Sequence, residues 1–524
     1  MSNNSAVVVG GGIGGLATAI GLRLAGWDVT VIERAAVLDD AGAGISLHAN
    51  GMRSLGILGV GDAVEAASRR QYTGGTRTPD GRRLALMDGR ALERELGAPI
   101  VGIPRADLHR ILRDALPAES LVIGAEVTEI DATDPARVAV GYDGTTLKAD
   151  LVVAADGVNS RIRHRLFPAH PGPVYSGSTV LRAITERPVD GLTADFELTW
   201  GHGAEFGHIA FPDGRAEWHA VLTAPAGVRY RDPLTEVRRR FARWHDPIPA
   251  LLAATNPEAV LHHDVNELVT PLPSYVSGRI ALLGDAAHAM TPHLGQGACQ
   301  ALEDAATLAA AVAGSPTVEA ALARYDAARR PRSQTVARDA RRAGRMGQQL
   351  ANPLAVGLRN AAIRLTPPGA MMRTVLKHAD WTPPRIAPPS RLGTDRGSAA
   401  RPGGPGRTPP NSRPARPATR REQHFLWHGS RSRGRTDDPS LRLTVRHSAS
   451  TWHQLLTDVE SDSVTPARVG LSVSSCRPGK PGLPSVGLSA PAPEWGLPSG
   501  ECSHRPKGRT SVGTGRGRGA HGLP

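Results

Sequence analysis

The chain predicts a mixed α/β fold in which a parallel-sheet unit is interrupted by a mostly antiparallel sheet and completed by helices. Three observations carry that prediction. An apolar run, a glycine-rich turn, an apolar-striped helix and a second apolar run follow one another over residues 6–32. Two later apolar runs, at 151–155 and 279–283, each lead into a Gly/Asp pair. Between them, over roughly 170–275, Trp, Thr, Val and Phe fall in short alternating stretches separated by turns such as Pro212-Asp213-Gly214.

The first element is the strand Ala6-Val7-Val8-Val9, which ends in Gly10-Gly11-Gly12-Ile13-Gly14-Gly15. Apolar positions 16, 17, 20 and 24 then share one helical face, Gly26 stops the helix, and Val29-Thr30-Val31-Ile32 is the next strand. Gly10-x-Gly12-x-x-Gly15 between strand and helix is the spacing that brings a backbone against a pyrophosphate, with the phosphates on the helix N terminus. Glu33 stands 18 residues beyond Gly15, where a carboxylate accepts from a ribose diol. The motif alone leaves NAD and FAD open. The second strand block leads into Asp156-Gly157, which by itself reads as a turn. The third leads into Gly284-Asp285-Ala286-Ala287-His288 and Pro292-His293-Leu294-Gly295-Gln296-Gly297, then a helix from 296 to about 313 and an arginine-rich one over 317–350. Pro367, Pro368, Pro383 and Pro384 are expected to close the folded part.

Charge and composition exclude several classes. The 524 residues carry a net charge of +13, but residues 1–384 hold 40 basic and 40 acidic side chains, so the excess lies wholly in 385–524. That segment also holds 18 of the 43 prolines and no sustained periodicity, and it is expected to be a disordered basic tail, either genuine or a read-through or frameshift product. Three scattered cysteines favour a reduced, cytoplasmic setting, and no apolar run long enough to span a membrane is present. No His-Glu-x-x-His or Cys-x-x-Cys occurs, so no metal is expected, and His262-His263-Asp264 reads as a polar loop. The runs Arg238-Arg239-Arg240 and Arg329-Arg330-x-Arg332 read as solvated helix faces.

Taken in order, the three Gly and Asp motifs, together with Gly42-Ala43-Gly44-Ile45-Ser46-Leu47, Arg105-Ala106-Asp107-Leu108 and the stretch Tyr325 to Arg332, resemble the single-component FAD-dependent aromatic hydroxylases of the salicylate and hydroxybenzoate hydroxylase type. The resemblance spans about residues 5–384. It implies a Rossmann-like FAD-binding domain of the glutathione-reductase type over 1–170, with 70–100 on the substrate side. An inserted β-sheet substrate domain follows over 171–278, and the second FAD-binding part with C-terminal helices over 279–384. Gly10, Gly12, Gly14, Gly15, Glu33, Arg34, Arg105, Val127, Asp156, Gly157, Asp285, Gly295 and Gly297 would hold FAD. NAD(P)H would bind transiently as reductant, since no second fingerprint exists, and dioxygen would be captured as a flavin hydroperoxide that hydroxylates a small aromatic or polyketide-like ring.

His48, Arg182, His208, His219 and His293 fall in segments that face the substrate in the family pattern and are the candidate catalytic residues; Trp218 lies in the same segments. A histidine suits deprotonation of a phenol near neutral pH. Glu205 stands where the substrate-binding arginine of the urate hydroxylases falls, which disfavours urate. Only Lys148 and Lys377 occur before residue 385, which disfavours a halogenase. The alternatives are an epoxidase on the same fold, or a flavoprotein whose basic tail binds a partner or nucleic acid without turnover.

Overall fold

The computed structural model of the protein describes residues 4–38 and 43–387; Gly42 and the tail from 388 onward lie outside them. The first sheet has six strands in the order β18 (Val276–Ser277), β19 (Ile280–Leu282), β12 (Leu151–Ala154), β1 (Ser5–Val9), β2 (Asp28–Glu33) and β8 (Leu121–Ile123). All its pairings are parallel except β18 with β19. Near-continuous apolar runs form these strands because the sheet is covered on both faces. On one side lie α1 (Ile13–Leu24) and α10 (Gly297–Ala313), and Gly21 sits where a Cβ would meet Ala309 at 2.7 Å. After α1, Gly26 adopts φ +85° and returns its N–H to Arg23, which turns the chain into β2.

A meander of β9 (Val127–Asp131), β10 (Val138–Tyr142) and β11 (Thr145–Ala149) leads into β12. A small antiparallel sheet joins β3 (Gly44–Leu47), β7 (Val101–Pro104) and β4 (Arg69–Arg70). The third sheet has seven strands in the order β17 (Leu261–Glu267), β13 (Val174–Ile184), β16 (Ala216–Thr223), β15 (Ala204–Ala210), β14 (Phe196–Trp200), β5 (Thr73–Arg77) and β6 (Arg83–Asp88). It is antiparallel apart from β14 with β5. One face rests on α7 (Pro233–Phe241) and α8 (Ile248–Ala253) through Phe206, Trp218, Phe241 and Leu251. The other face meets β3, where a Cβ on Gly44 would lie 2.5 Å from Glu217 Cβ.

The remaining helices are α2 (Ala49–Ile57), α3 (Gly61–Ala66), α4 (Gly89–Leu96), α5 (Arg105–Asp114), α6 (Arg161–Leu166), α9 (Asp285–His288), α11 (Val318–Met346), α12 (Pro353–Leu365) and α13 (Pro368–Ala379). Three expectations are corrected here. Pro367 and Pro368 do not end the fold: Pro368 opens α13, where its missing N–H costs nothing and its fixed φ suits the first turn. His262, His263 and Asp264 lie within β17, paired with β13, rather than in a loop. Arg329 is 1% exposed and ion-paired inside the molecule, not on a solvated face. Among the described residues no helix is long and apolar enough to cross a membrane, and no group of three or more His, Cys, Asp or Glu could hold a metal ion.

Candidate functional site

A cleft of about 230 Å³ opens at the carboxyl ends of β1, β2 and β12, lined by Gly10, Gly12, Glu33, Arg34, Ala125, Val127, Asp156, Gly157 and Arg161 among others. This is where open parallel sheets bind ligands. Its geometry follows from the glycines. Gly10 adopts φ +110° and lies against the next strand end, where a Cβ would sit 2.3 Å from the Ala155 carbonyl oxygen. A Cβ on Gly15 would sit 2.0 Å from the Gly10 oxygen, whereas one on Gly12 would meet nothing within 4 Å. Gly10 and Gly15 therefore close the turn, and Gly12 leaves open space before the first N–H groups of α1, whose first turn carries no acid. Gly14 packs the helix on Leu283. His109, from α5, donates Nε2–H to the Gly11 carbonyl at 2.7 Å and holds the turn from behind.

The Glu33 carboxylate accepts from Gly11 N–H at 2.6 Å and Ala35 N–H at 2.8 Å, so it is fixed at the cleft wall with lone pairs to spare. Asp156 accepts from Ile162 N–H through Oδ2, while its buried Oδ1 has no partner. Buried Arg163 spans the gap to the next segment, donating to the Val158 and Ala286 carbonyls. That segment is the Gly284 turn, φ +60°, which leaves Asp285 exposed at the start of α9. Arg105 opens α5, and its N–H donates to Ala43 O at 2.9 Å. An open glycine cradle, a positioned acid beside it, the apolar wall of Ala125 and Val127 and an unpartnered Asp156 oxygen form a donor set that fits a dinucleotide.

The second part of the site is the N terminus of α10. Gly295 adopts φ +60°, and Gly297 begins the helix. Behind it lies a buried polar network. Glu303 receives Asn50 Nδ2–H at 2.7 Å and Arg332 Nε–H at 2.7 Å, and it is ion-paired with Arg329. Asp304 accepts from Arg329 Nε–H and His288 Nε2–H, both at 2.6 Å, and from the Gly284 N–H at 3.0 Å. Burial opposes the charge on Asp304, but His288 and Arg329 outweigh it and hold the carboxyl below its ordinary value. Two acids of one helix thus pin both the Gly284 turn and α2.

The seven-stranded sheet presents Arg182, Glu205, Glu217 and His219 on the face that meets β3. Arg182 donates to Glu217 Oε1 at 2.7 Å and to the Gly44 carbonyl at 2.6 Å. His219 Nδ1 donates to Glu217 Oε2 at 3.1 Å, and its Nε2 lies 4.0 Å from Glu205 Oε1. His208 is corrected: alternation along β15 sends it to the opposite face, where it is 2% exposed and bonded to Ala194 O. Trp218 likewise points away, donating to Thr255. His48 sits 3.2 Å from where a Gly295 Cβ would be, and the His293 ring packs on Gly344 of α11. Buried ring nitrogens of both, His48 Nδ1 and His293 Nδ1 and Nε2, lack partners. Sequence reasoning missed Glu217 and Asp304. Period two in Glu217-Trp218-His219 carries the signal for the first, because neighbours in a strand cannot share a face.

Comparison with known proteins places this geometry. A family profile described as an FAD binding domain matches residues 3–340. An aurachin C monooxygenase/isomerase from Stigmatella aurantiaca is 37% identical over 72% of this chain and 98% of its own length. A 6-hydroxynicotinate 3-monooxygenase from Pseudomonas fluorescens is 34% identical over 63% of this chain and 89% of its own. The crystal structure of Klebsiella pneumoniae HpxO complexed with FAD and uric acid superposes with a TM-score of 0.67 at 27% identity, covering 72% of this chain and 96% of that one.

Proposed function

Because the chain belongs to the FAD-binding-domain family and is an FAD-dependent monooxygenase, we propose that it hydroxylates a small aromatic or polyketide-like ring held between α10 and the seven-stranded sheet. NAD(P)H is the reductant and dioxygen the co-substrate. The observation that carries this reading is the pairing of a dinucleotide-shaped cleft with a sheet face that bears Arg182, Glu217 and His219 and packs on β3, the strand leading to His48 beside Gly295.

When bound, FAD supplies the electron transfer and oxygen activation. Gly10, Gly12, Gly14 and Gly15 would hold its phosphates, Glu33 and Arg34 its ribose, and Val127 its adenine. Arg105, Asp156, Gly157 and Asp285 would hold the part between the phosphates and the ring system. The N–H groups at Gly295 and Gly297 would offer positive partial charge to a reduced ring. On the substrate side, Arg182 and Glu217 hold His219 in one orientation, His48 and His293 narrow the space near Gly295, and the packed sheet keeps water out.

The test is NADH or NADPH oxidation by the FAD-loaded chain against a panel of phenols and polycyclic aromatics, with peroxide measured alongside. Acceleration by a ring with little peroxide is expected. Flavin reduction that no ring accelerates would overturn the aromatic-substrate reading.

A further inference from the structure

We propose that α12 lays its outer face on a bilayer surface that contains anionic phospholipid, so that the protein rests on a membrane without spanning it. Along this helix Leu354, Leu358, Ala361 and Leu365 recur at i, i+4, i+7 and i+11 and form one stripe. The three leucines are 80%, 73% and 83% exposed, and Ala361 between them is exposed too. Apolar side chains scattered singly over a surface are ordinary, whereas leucines in register on one helix face make a continuous apolar strip.

The helix is held so that it cannot roll the strip inward. Its opposite face carries Val356 and Arg359, both buried. Arg359 donates to the Gly347 carbonyl at 2.7 Å, and its guanidinium lies 5.2 Å over the Trp200 ring. Asn352 caps the first turn, accepting from the Leu354 and Ala355 N–H groups at 3.0 and 3.2 Å.

Charge decides what covers the strip. No acid occurs on α12, and Arg364 flanks the leucines in its last turn. Residues 340–387 hold eight Lys or Arg and one Asp, whereas residues 1–339 hold 33 basic and 39 acidic side chains. Asp380 is paired with Arg53 and Lys377 with Asp339, but Arg345, Arg364 and Arg373 have no ion pair among the described residues. Beside the strip a groove of about 330 Å³ runs between α12 and the turn from β5 to β6, with Arg82, His202, Asn360 and Arg364 in its wall. Asp80 also lines it, ion-paired with Arg82 at 3.0 Å. Cationic and neutral donors next to an apolar strip match lipid phosphates next to acyl chains.

A second copy of the chain fits the strip less well. The 13 residues of α12 span about 20 Å, so the strip offers roughly 200 Å², against about 800 Å² per partner in a stable interface. A two-fold contact would also set the cationic segments of both copies against each other. A bilayer needs no complementary shape: the leucines enter the acyl boundary while the arginine heads stay among the phosphates.

The experiment uses the full chain loaded with FAD and sedimentation with vesicles of phosphatidylcholine, alone or with about 30 mol% phosphatidylglycerol. The native chain should partition onto the anionic vesicles at least about ten-fold more strongly than onto the neutral ones. Replacing all three leucines, Leu354→Ser, Leu358→Ser and Leu365→Ser, should lower that partitioning at least about ten-fold, with flavin content and melting temperature unchanged because the side chains are exposed. Arg364→Gln should lower it by about five-fold. The basic segment beyond residue 387 is present in every variant, so a triple serine variant that partitions like the native chain would assign the attraction to that segment and overturn the proposal. A native chain that stays in the supernatant would overturn it as well. So would a native dimer in light scattering without lipid that the three serines convert to monomer, since a second copy would then cover the strip.

Discussion

His48 shows how one position couples stability to the site. Burial, then the neighbouring His378, lowers its pKa from 6.5 to about 4, and its buried Nδ1 has no partner. In the fold it is neutral at pH 7; in the unfolded chain it takes up a proton near the ordinary value. The unfolded state therefore binds more protons between those two values, so this contribution is complete above pH 6.5 and lost as pH falls toward 4, roughly 3 kcal/mol in all. Urea unfolding at pH 7 and pH 4.5 checks it: His48→Gln should lose less stability over that interval than the native chain. Equal losses would mean the imidazole is not held neutral. Position 48 was readable as a substrate-side residue from its motif. Its burial was not, because that depends on Gly295 and His378, hundreds of residues away.

At the scale of elements, α10 and α11 are joined by charge rather than by apolar packing alone. Arg329 on α11 is enclosed by Glu303 and Asp304 of α10, and Gln300 accepts from its remaining N–H groups. Removing one partner of a buried network strands the others, which costs about 3–5 kcal/mol. Arg329→Met should cost that much in guanidinium unfolding, and it should lower flavin content, because Asp304 also holds the Gly284 N–H. Adding Glu303→Gln and Asp304→Asn to Arg329→Met should recover part of the loss; if the triple variant is weaker still, the network is net stabilising. The balanced charge of residues 1–384 hid this cluster, since a neutral sum does not distinguish buried charge from exposed charge.

For the whole molecule, the C-terminal helices complete the site from outside. Arg332 donates to the His378 carbonyl, and Trp381 lies over Arg329 and Arg332 at 5.6 and 5.9 Å. A chain ending at Thr366 should melt about 5 °C or more below one ending at Ala387 by calorimetry. Equal melting of both would show that α13 is dispensable.

The order of the three motifs carried the resemblance that implies the cofactor class, and the sequence by itself determined the first strand–turn–helix unit, its glycine cradle and Glu33. These are local in the chain, where a strand, a turn and a helix within about thirty residues carry their own geometry. The division of β15 and β16 into a site face and a core face, the seven-stranded sheet that draws in β5 and β6, the Arg329 network and the clamp on His219 were decided only by tertiary structure. Each depends on contacts between segments far apart in sequence, and a residue's type does not say which distant backbone or charge it will meet.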